Sequence, residues 1–170
     1  DEPEKKQVKE LAQIIGELHN LQKKDIPFVT DSITEDFSIA FAQPLAKLIE
    51  QHLHANVALL ENFCVKYSKL IYEKLEQLKT LSELLRSTKL EFVLCHTDAH
   101  CWNMMQNEQL VLIDWEGLKL APAEADLFIF IDKQWWQDFM LFYKDMRPAY
   151  AINDKAMSFY RLRRILEDIC

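Results

Sequence analysis

The sequence predicts a mainly α-helical chain carrying one small β-hairpin insertion. Three observations predict it. Apolar residues recur at three- and four-residue spacing along most of the chain. Only 2 of 170 residues are glycine, which disfavours turn-rich β architecture. The period changes once, around residues 92 to 114, to short apolar runs suited to strands.

Residues 3–23 read as a first helix, with Val8, Leu11, Ile14, Ile15, Leu18 and Leu21 on one face. Pro3 suits a first helical turn, and Glu2 and Glu4 sit near the positive end of its dipole. Residues 24–33, with Pro27 and turn-forming polar groups, read as a loop. Residues 34–54 are expected to be helical, with Thr34 and Asp36 as cap candidates and Pro44 starting or kinking the helix. Residues 56–79 form a long amphipathic helix through Leu59, Leu60, Phe63, Tyr67, Leu70, Ile71, Leu75 and Leu78, followed by a short helix over 80–87. "EFVLCH" then reads as a buried strand, and "NMMQNEQLVLIDW" as two short strands around a turn at Asn107 and Glu108. Helical patterning returns after Pro122, over 123–131, 134–146 and 153–169.

At 170 residues, one domain spanning 1–170 is the expectation. Hydrophobic residues make up 49% and charged residues 28%, an ordinary globular mixture. The formal charge of -7 argues against a nucleic-acid partner, which needs a basic footprint, and accommodates a cationic small molecule. No apolar run is long enough for a membrane span and no signal peptide is evident. Cys64, Cys95, Cys101 and Cys170 show no C-x-x-C pairing or disulfide framework, so reduced thiols in a cytoplasmic setting are expected.

Chemistry concentrates in "FVLCHTDAHCWNMM", where Cys95, His96, Asp98, His100 and Cys101 fall within seven residues. Extended backbone would place His96, Asp98 and His100 on one face, the start of a metal-dependent hydrolase site. Further ligands are scarce: His19, His52 and His54 have no motif spacing to the cluster, and H-E-x-x-H is absent. A packed strand end with no chemistry is the plainer alternative. The phosphoryl-transfer pattern explains more residues. Asp98 is followed five residues later by Asn103, and an apolar strand then delivers Asp114 in "LIDWE". In that chemistry an Asp accepts the attacking hydroxyl's proton, while an Asn and a second Asp hold magnesium. A hairpin returns Asp114 beside Asn103, and two oxygen donors on adjacent strand ends suit magnesium.

"CHTDAHCWN" followed by "LIDWE" resembles the aminoglycoside phosphotransferase family of the protein-kinase-like fold, whose loop usually reads H-G-D-x-H-x-x-N. "IGELHNLQ" is similar to the family helix bearing a Leu-His pair, and "FYRLRRILEDI" resembles the spectinomycin phosphotransferase branch. The resemblance implies a kinase-like C-terminal lobe and an ATP- and Mg2+-dependent transfer to a small-molecule hydroxyl. An aminoglycoside or aminocyclitol is the implied acceptor, with choline- or methylthioribose-like metabolites as alternatives. It implies Asp98 as catalytic base, Asn103 and Asp114 as magnesium ligands, and His96, His100 and Asp126 of "EADLF" as supports of the loop. The chain departs from the family's usual residues at Thr97, usually Gly, and at Trp102, often Gly.

With Gly16 and Gly117 its only glycines, the chain has no Gly-rich phosphate loop. It opens "DEPEKKQ" and ends "RRILEDIC" within an amphipathic pattern. The expectation is therefore the C-terminal lobe of a longer kinase whose N-terminal nucleotide lobe is missing, inactive alone. Trp102, Glu116, Trp135 and Trp136 are candidates for contact with the substrate. For the two adjacent tryptophans, packing alongside Phe139, Phe142 and Tyr143 is the stronger expectation. Asp132, Glu167, Asp168 and the Arg161–Arg164 run read as solvated helix charge, and His19 as packing at a helix end.

Overall fold

The computed structural model describes residues 3–21, 33–52 and 58–169. The expected loop at 24–33 lies, but for its last residue, outside the described residues, as do His54 and Cys170. Six α-helices and four short strands are described: α1 (Lys5–Asn20), α2 (Ala42–His52), α3 (Ala58–Ser87), β1 (Val93–Cys95), β2 (Met104–Gln106), β3 (Leu110–Leu112), β4 (Lys119–Ala121), α4 (Glu124–Leu127), α5 (Trp136–Met146) and α6 (Asp154–Glu167). They form two compact units. One comprises Asp1–Glu35 and Leu90–Met157; the other comprises Asp36–Lys89 and Ser158–Cys170.

The first unit is built on α1 and α5. Gln7 accepts a hydrogen bond from the Glu4 amide at 2.8 Å, which satisfies one of the free donors at the start of α1. Val8, Leu11, Ala12, Ile15 and Leu18 are buried along one face, while Ile14 is half-buried and Leu21, beyond the end of the helix, is exposed. Gly16 lets α5 approach: a Cβ there would lie 2.9 Å from Met146 Cβ. Along α5, Trp136, Phe139 and Tyr143 stack in sequence with centroid spacings of 5.9 Å. The Phe139 and Tyr143 rings have no exposed surface. Two antiparallel pairs complete the unit. The first is β1 with β4, Leu94 opposite Leu120; the second is the β2–β3 hairpin, Met105 opposite Val111. Leu94 packs with Leu18, Leu118 and Leu120.

In the second unit α3 runs unbroken from 58 to 87, so the separate helix expected at 80–87 is its last two turns. No Gly or Pro interrupts "EQLKTLSELL", and Thr80 Oγ1 bonds back to Glu76 O without ending the helix.

Three further readings of the sequence are corrected. Residues 34–41 are not helical, and α2 begins at Ala42 with Pro44 in its first turn, where a missing N–H costs nothing. The preceding segment has better partners than a helix would give it. Thr34 bridges to Leu120 and the Glu35 amide donates to Leu120 O, while the Ser38 amide donates to Asp36 Oδ1. Phe37 adopts φ 55, and its carbonyl accepts from Ser82 Oγ at 2.7 Å. Second, β4 was not foreseen: Lys119–Ala121 is too short to show a period, and its pairing with β1 crosses a long separation. Third, the helix expected over 123–131 is the single turn Glu124–Leu127, followed by further turns.

Two outcomes follow from this packing. Gly16→Val drives a branched side chain into Met146, and thermal denaturation should show a loss of about 1–3 kcal/mol. Cys64 is 1% exposed and Cys95 0%, whereas Cys101 is exposed. A thiol reagent should therefore label Cys101 of the folded chain rapidly, and Cys64 and Cys95 only when denaturant is added.

Candidate active site

The site begins where β1 runs out. Asp126, buried in α4, turns its carboxylate towards the first two peptide N–H groups after the strand. Oδ2 accepts from the His96 amide at 3.0 Å and Oδ1 from the Thr97 amide at 2.5 Å. His19 of α1 adds a third contact, Nε2 to Asp126 Oδ2 at 3.0 Å, with both side chains fully buried. His19 Nδ1 meets Tyr143 Oη at 2.7 Å, and Arg147 Nη1 donates to the same phenol at 3.2 Å. Arg147 Nη2 ends the chain on Glu91 Oε1 at 2.7 Å. The protons can be assigned. The Asp126 carboxylate can only accept, so His19 Nε2–H donates to it; in the neutral imidazole Nδ1 then accepts the Tyr143 O–H, while the phenol oxygen accepts from Arg147. Burial pushes the Tyr143 phenol well above its ordinary range, against the opposing pull of Arg147, so the proton stays on oxygen. His19 is thus a member of the relay that steadies the loop. Its spacing alone gave no sign of this; the quoted Leu-His pair was the available signal.

Asp98 lies two residues beyond His96. Its backbone carbonyl accepts from the His100 amide at 2.9 Å and from Asn103 Nδ2 at 2.9 Å. The Asp98 carboxylate accepts from Asn103 Nδ2 at 3.1 Å and faces His100 Nε2 at 3.3 Å. His100 Nδ1 accepts from the Trp102 amide, which leaves its proton on Nε2, directed at Asp98. The Asp98 side chain keeps 36% exposure. Asn103 is 7% exposed, and both contacts it makes to Asp98 use its amide nitrogen. Its carbonyl oxygen remains available to a cation.

The hairpin then returns the chain. The Ile113 amide donates to Asn103 O at 3.0 Å, continuing the β2–β3 register up to the residue before Asp114. Asp114 takes φ 65 and ψ 68 ahead of a short 3-10 turn, Trp115–Gly117. Its side chain is exposed, with no hydrogen-bond partner among the described residues. His96 is fully buried: Nε2 donates to Ile113 O at 2.9 Å, its ring packs on Trp115 at 4.6 Å, and Nδ1 is left unpartnered. Thr97 Oγ1 donates to Gly117 O at 2.8 Å.

This arrangement removes the hydrolase triad. The one described set of three whose ligand atoms converge within 4.8 Å is His19, Cys95 and Asp126, and not His96, Asp98 and His100. His96 has already spent Nε2 on a backbone carbonyl. Nor is the buried set open to a metal, because hydrogen bonds already engage both Asp126 oxygens and both nitrogens of His19. Burial raises the Cys95 thiol well above its ordinary range, with Asp126 and Glu124 adding to the effect, which disfavours the thiolate a metal needs. Among the other candidates, Trp102 is 85% exposed and Glu116 is exposed beside Asp114. Trp135 and Trp136 are half-buried against Phe130 and Phe139, the packing role expected for an aromatic helix.

The chain matches the model of the phosphotransferase enzyme family (APH) over residues 1–160. Comparison with curated protein sequences gave no match. Among solved structures it is similar to spectinomycin phosphotransferase APH(9)-Ia in complex with ADP and spectinomycin, at TM-score 0.78 and 23% identity, over 99% of this chain and 54% of that one. The AMP-bound complex of APH(9)-Ia gives TM-score 0.77 and 23% identity, over 99% of this chain and 57% of that one. The chain thus spans little more than half the length of the solved structures it matches. On the match that runs over residues 1–160, the chain belongs to the phosphotransferase enzyme family.

Proposed function

We propose that this chain is the C-terminal, catalytic-loop lobe of a phosphotransferase that moves a phosphoryl group from ATP to a hydroxyl of a small cationic molecule. One observation carries the reading: Asn103 holds Asp98 by two hydrogen bonds while the hairpin pins residue 113 to Asn103, so a base and two oxygen donors share one scaffold. The donor set is of the right kind for magnesium, an amide oxygen and an exposed carboxylate without thiolate or imidazole. Asn103 and Asp114 would hold the ion, which when bound neutralises charge on the transferring phosphate. The chain's own residues do the rest. Asp98 accepts the proton as the substrate oxygen forms its bond to the γ-phosphorus and the bond to the leaving ADP oxygen breaks. His100 and Asn103 orient that carboxylate from two sides.

An aminocyclitol or aminoglycoside is the proposed acceptor. Amines of such a molecule suit the formal charge of -7, with exposed Glu116 and Trp102 offering a carboxylate and an aromatic face. The nucleotide is proposed to bind through an N-terminal lobe outside this chain, consistent with the 54% span of the matched structure. Half the positioning apparatus is then absent from the 170-residue piece, which is proposed to be inactive alone.

The test is phosphate transfer from labelled ATP by the full-length protein to a panel of spectinomycin, aminoglycosides, choline and methylthioribose. Turnover of the first two classes is expected, with the isolated chain silent; turnover of choline or methylthioribose alone would reassign the substrate. In the full-length protein, Asp98→Asn should lower kcat by about 10²–10⁴-fold with little change in KM. Asp114→Ala should abolish magnesium-dependent transfer. Asp126→Asn places an amide where two peptide N–H groups need acceptors, and melting should show about 1–3 kcal/mol lost together with a fall in kcat.

A further inference from the structure

The residues around Asp114 are tied to the catalytic loop at both ends. Upstream, His96 Nε2 donates to Ile113 O at 2.9 Å; downstream, Thr97 Oγ1 donates to Gly117 O at 2.8 Å. Adjacent loop residues, two and one positions before Asp98, therefore bracket the segment that carries Asp114. Thr97 is an unexpected residue for this post. It holds φ 69, a left-handed conformation in which a β-branched side chain is strained and glycine is comfortable. Its partner is matched to it. A Cβ on Gly117 would meet Thr97 Oγ1 and lie 3.1 Å from His96 O. Gly117 does not have positive φ, so glycine serves there for close approach rather than for backbone freedom. The Thr97 amide is meanwhile fixed by Asp126. The side chain thus leaves a backbone held from below and reaches across to the turn after Asp114. Backbone strain kept in place by surrounding contacts at a site is the mark of a functional constraint.

We propose that the Thr97 hydroxyl is a positioning residue, a latch that sets Asp114 relative to Asp98 and Asn103 and thereby sets the affinity for the divalent ion. The inference rests on the phosphotransferase reading above. It separates two quantities that a merely structural residue would move together. Thr97→Gly relieves the left-handed strain but removes the latch. Thr97→Val keeps the branched shape and strain without the donor. Thr97→Ser keeps the donor.

The experiment uses the full-length protein and reads Mn2+ and Mg2+ binding in the presence of ADP by calorimetric titration, alongside thermal melting. Both Thr97→Gly and Thr97→Val should weaken divalent-ion binding by roughly 10- to 100-fold, as loss of a residue orienting a ligand does. Thr97→Ser should bind like the wild type, and Thr97→Gly should melt no lower than Thr97→Val while binding the ion as poorly. Gly117→Ala should also weaken binding, and less so when combined with Thr97→Gly, because the clashing hydroxyl is gone. Wild-type ion binding in Thr97→Val and Thr97→Gly overturns the latch while leaving the phosphotransferase reading intact, as does a Thr97→Ser variant as weak as Thr97→Val. A wild-type protein that binds no divalent ion with ADP and transfers no phosphate overturns that reading, and the latch with it.

Discussion

Everything at the site depends on one buried carboxylate. Asp126 accepts from the His96 and Thr97 amides and from His19, and so ties β1, α1 and α4 to a single point. A buried charge is costly unless it is paired and hydrogen-bonded. Here the cost is offset by two backbone donors and an imidazole N–H, which are themselves groups that need acceptors. The relay onwards through Tyr143 and Arg147 to Glu91 keeps each polar atom satisfied until solvent is reached. A satisfied network of this kind holds one geometry. The loop leaving β1 therefore emerges with the conformation that Asp98 needs.

The second constraint is the hairpin. Asn103, which ends a short 3-10 turn (Cys101–Asn103), and Asp114, which precedes the turn Trp115–Gly117, sit on elements that would otherwise be free to slide. Register between β2 and β3, extended by the Ile113–Asn103 hydrogen bond, fixes their relative position along the strands. His96 contributes from behind by holding Ile113 O and packing on Trp115. The carboxylates proposed to act remain partly or fully exposed, while Asp126, His96 and Asn103, which hold the groups around them, are buried. Reacting groups must meet solvent and substrate, whereas supports work best where water does not compete.

Much of this could be read in the sequence, for physical reasons that differ by element. The apolar stripe of α1 and the aromatic run of α5 are local signals, and both gave helices close to their expected bounds. The hairpin was legible because its strands and turn are contiguous. What escaped was set by partners far along the chain. Thr34 and Glu35 leave the helical pattern because Leu120 offers them a bridge, and β4 exists because β1 is beside it. His19 escaped as a working residue because its two partners, Tyr143 and Asp126, lie 124 and 107 positions away. The spacing of Asp98, Asn103 and Asp114 pointed to the chemistry. It did not reveal that Thr97 would stand at positive φ with its hydroxyl on Gly117.

Those long separations bear on how the chain acquires its site. Closing a loop of more than a hundred residues costs entropy that is offset only once the contact forms. The helices can appear on local signals alone, and the hairpin needs only a tight turn. The His19–Asp126 pair, in contrast, requires the beginning of the first unit and its later helices to meet. The loop bearing Asp98 is therefore expected to take shape after most secondary structure is in place. Until then its two amides, Asp126 and His19 remain in water, and the chain contains its helices without a site.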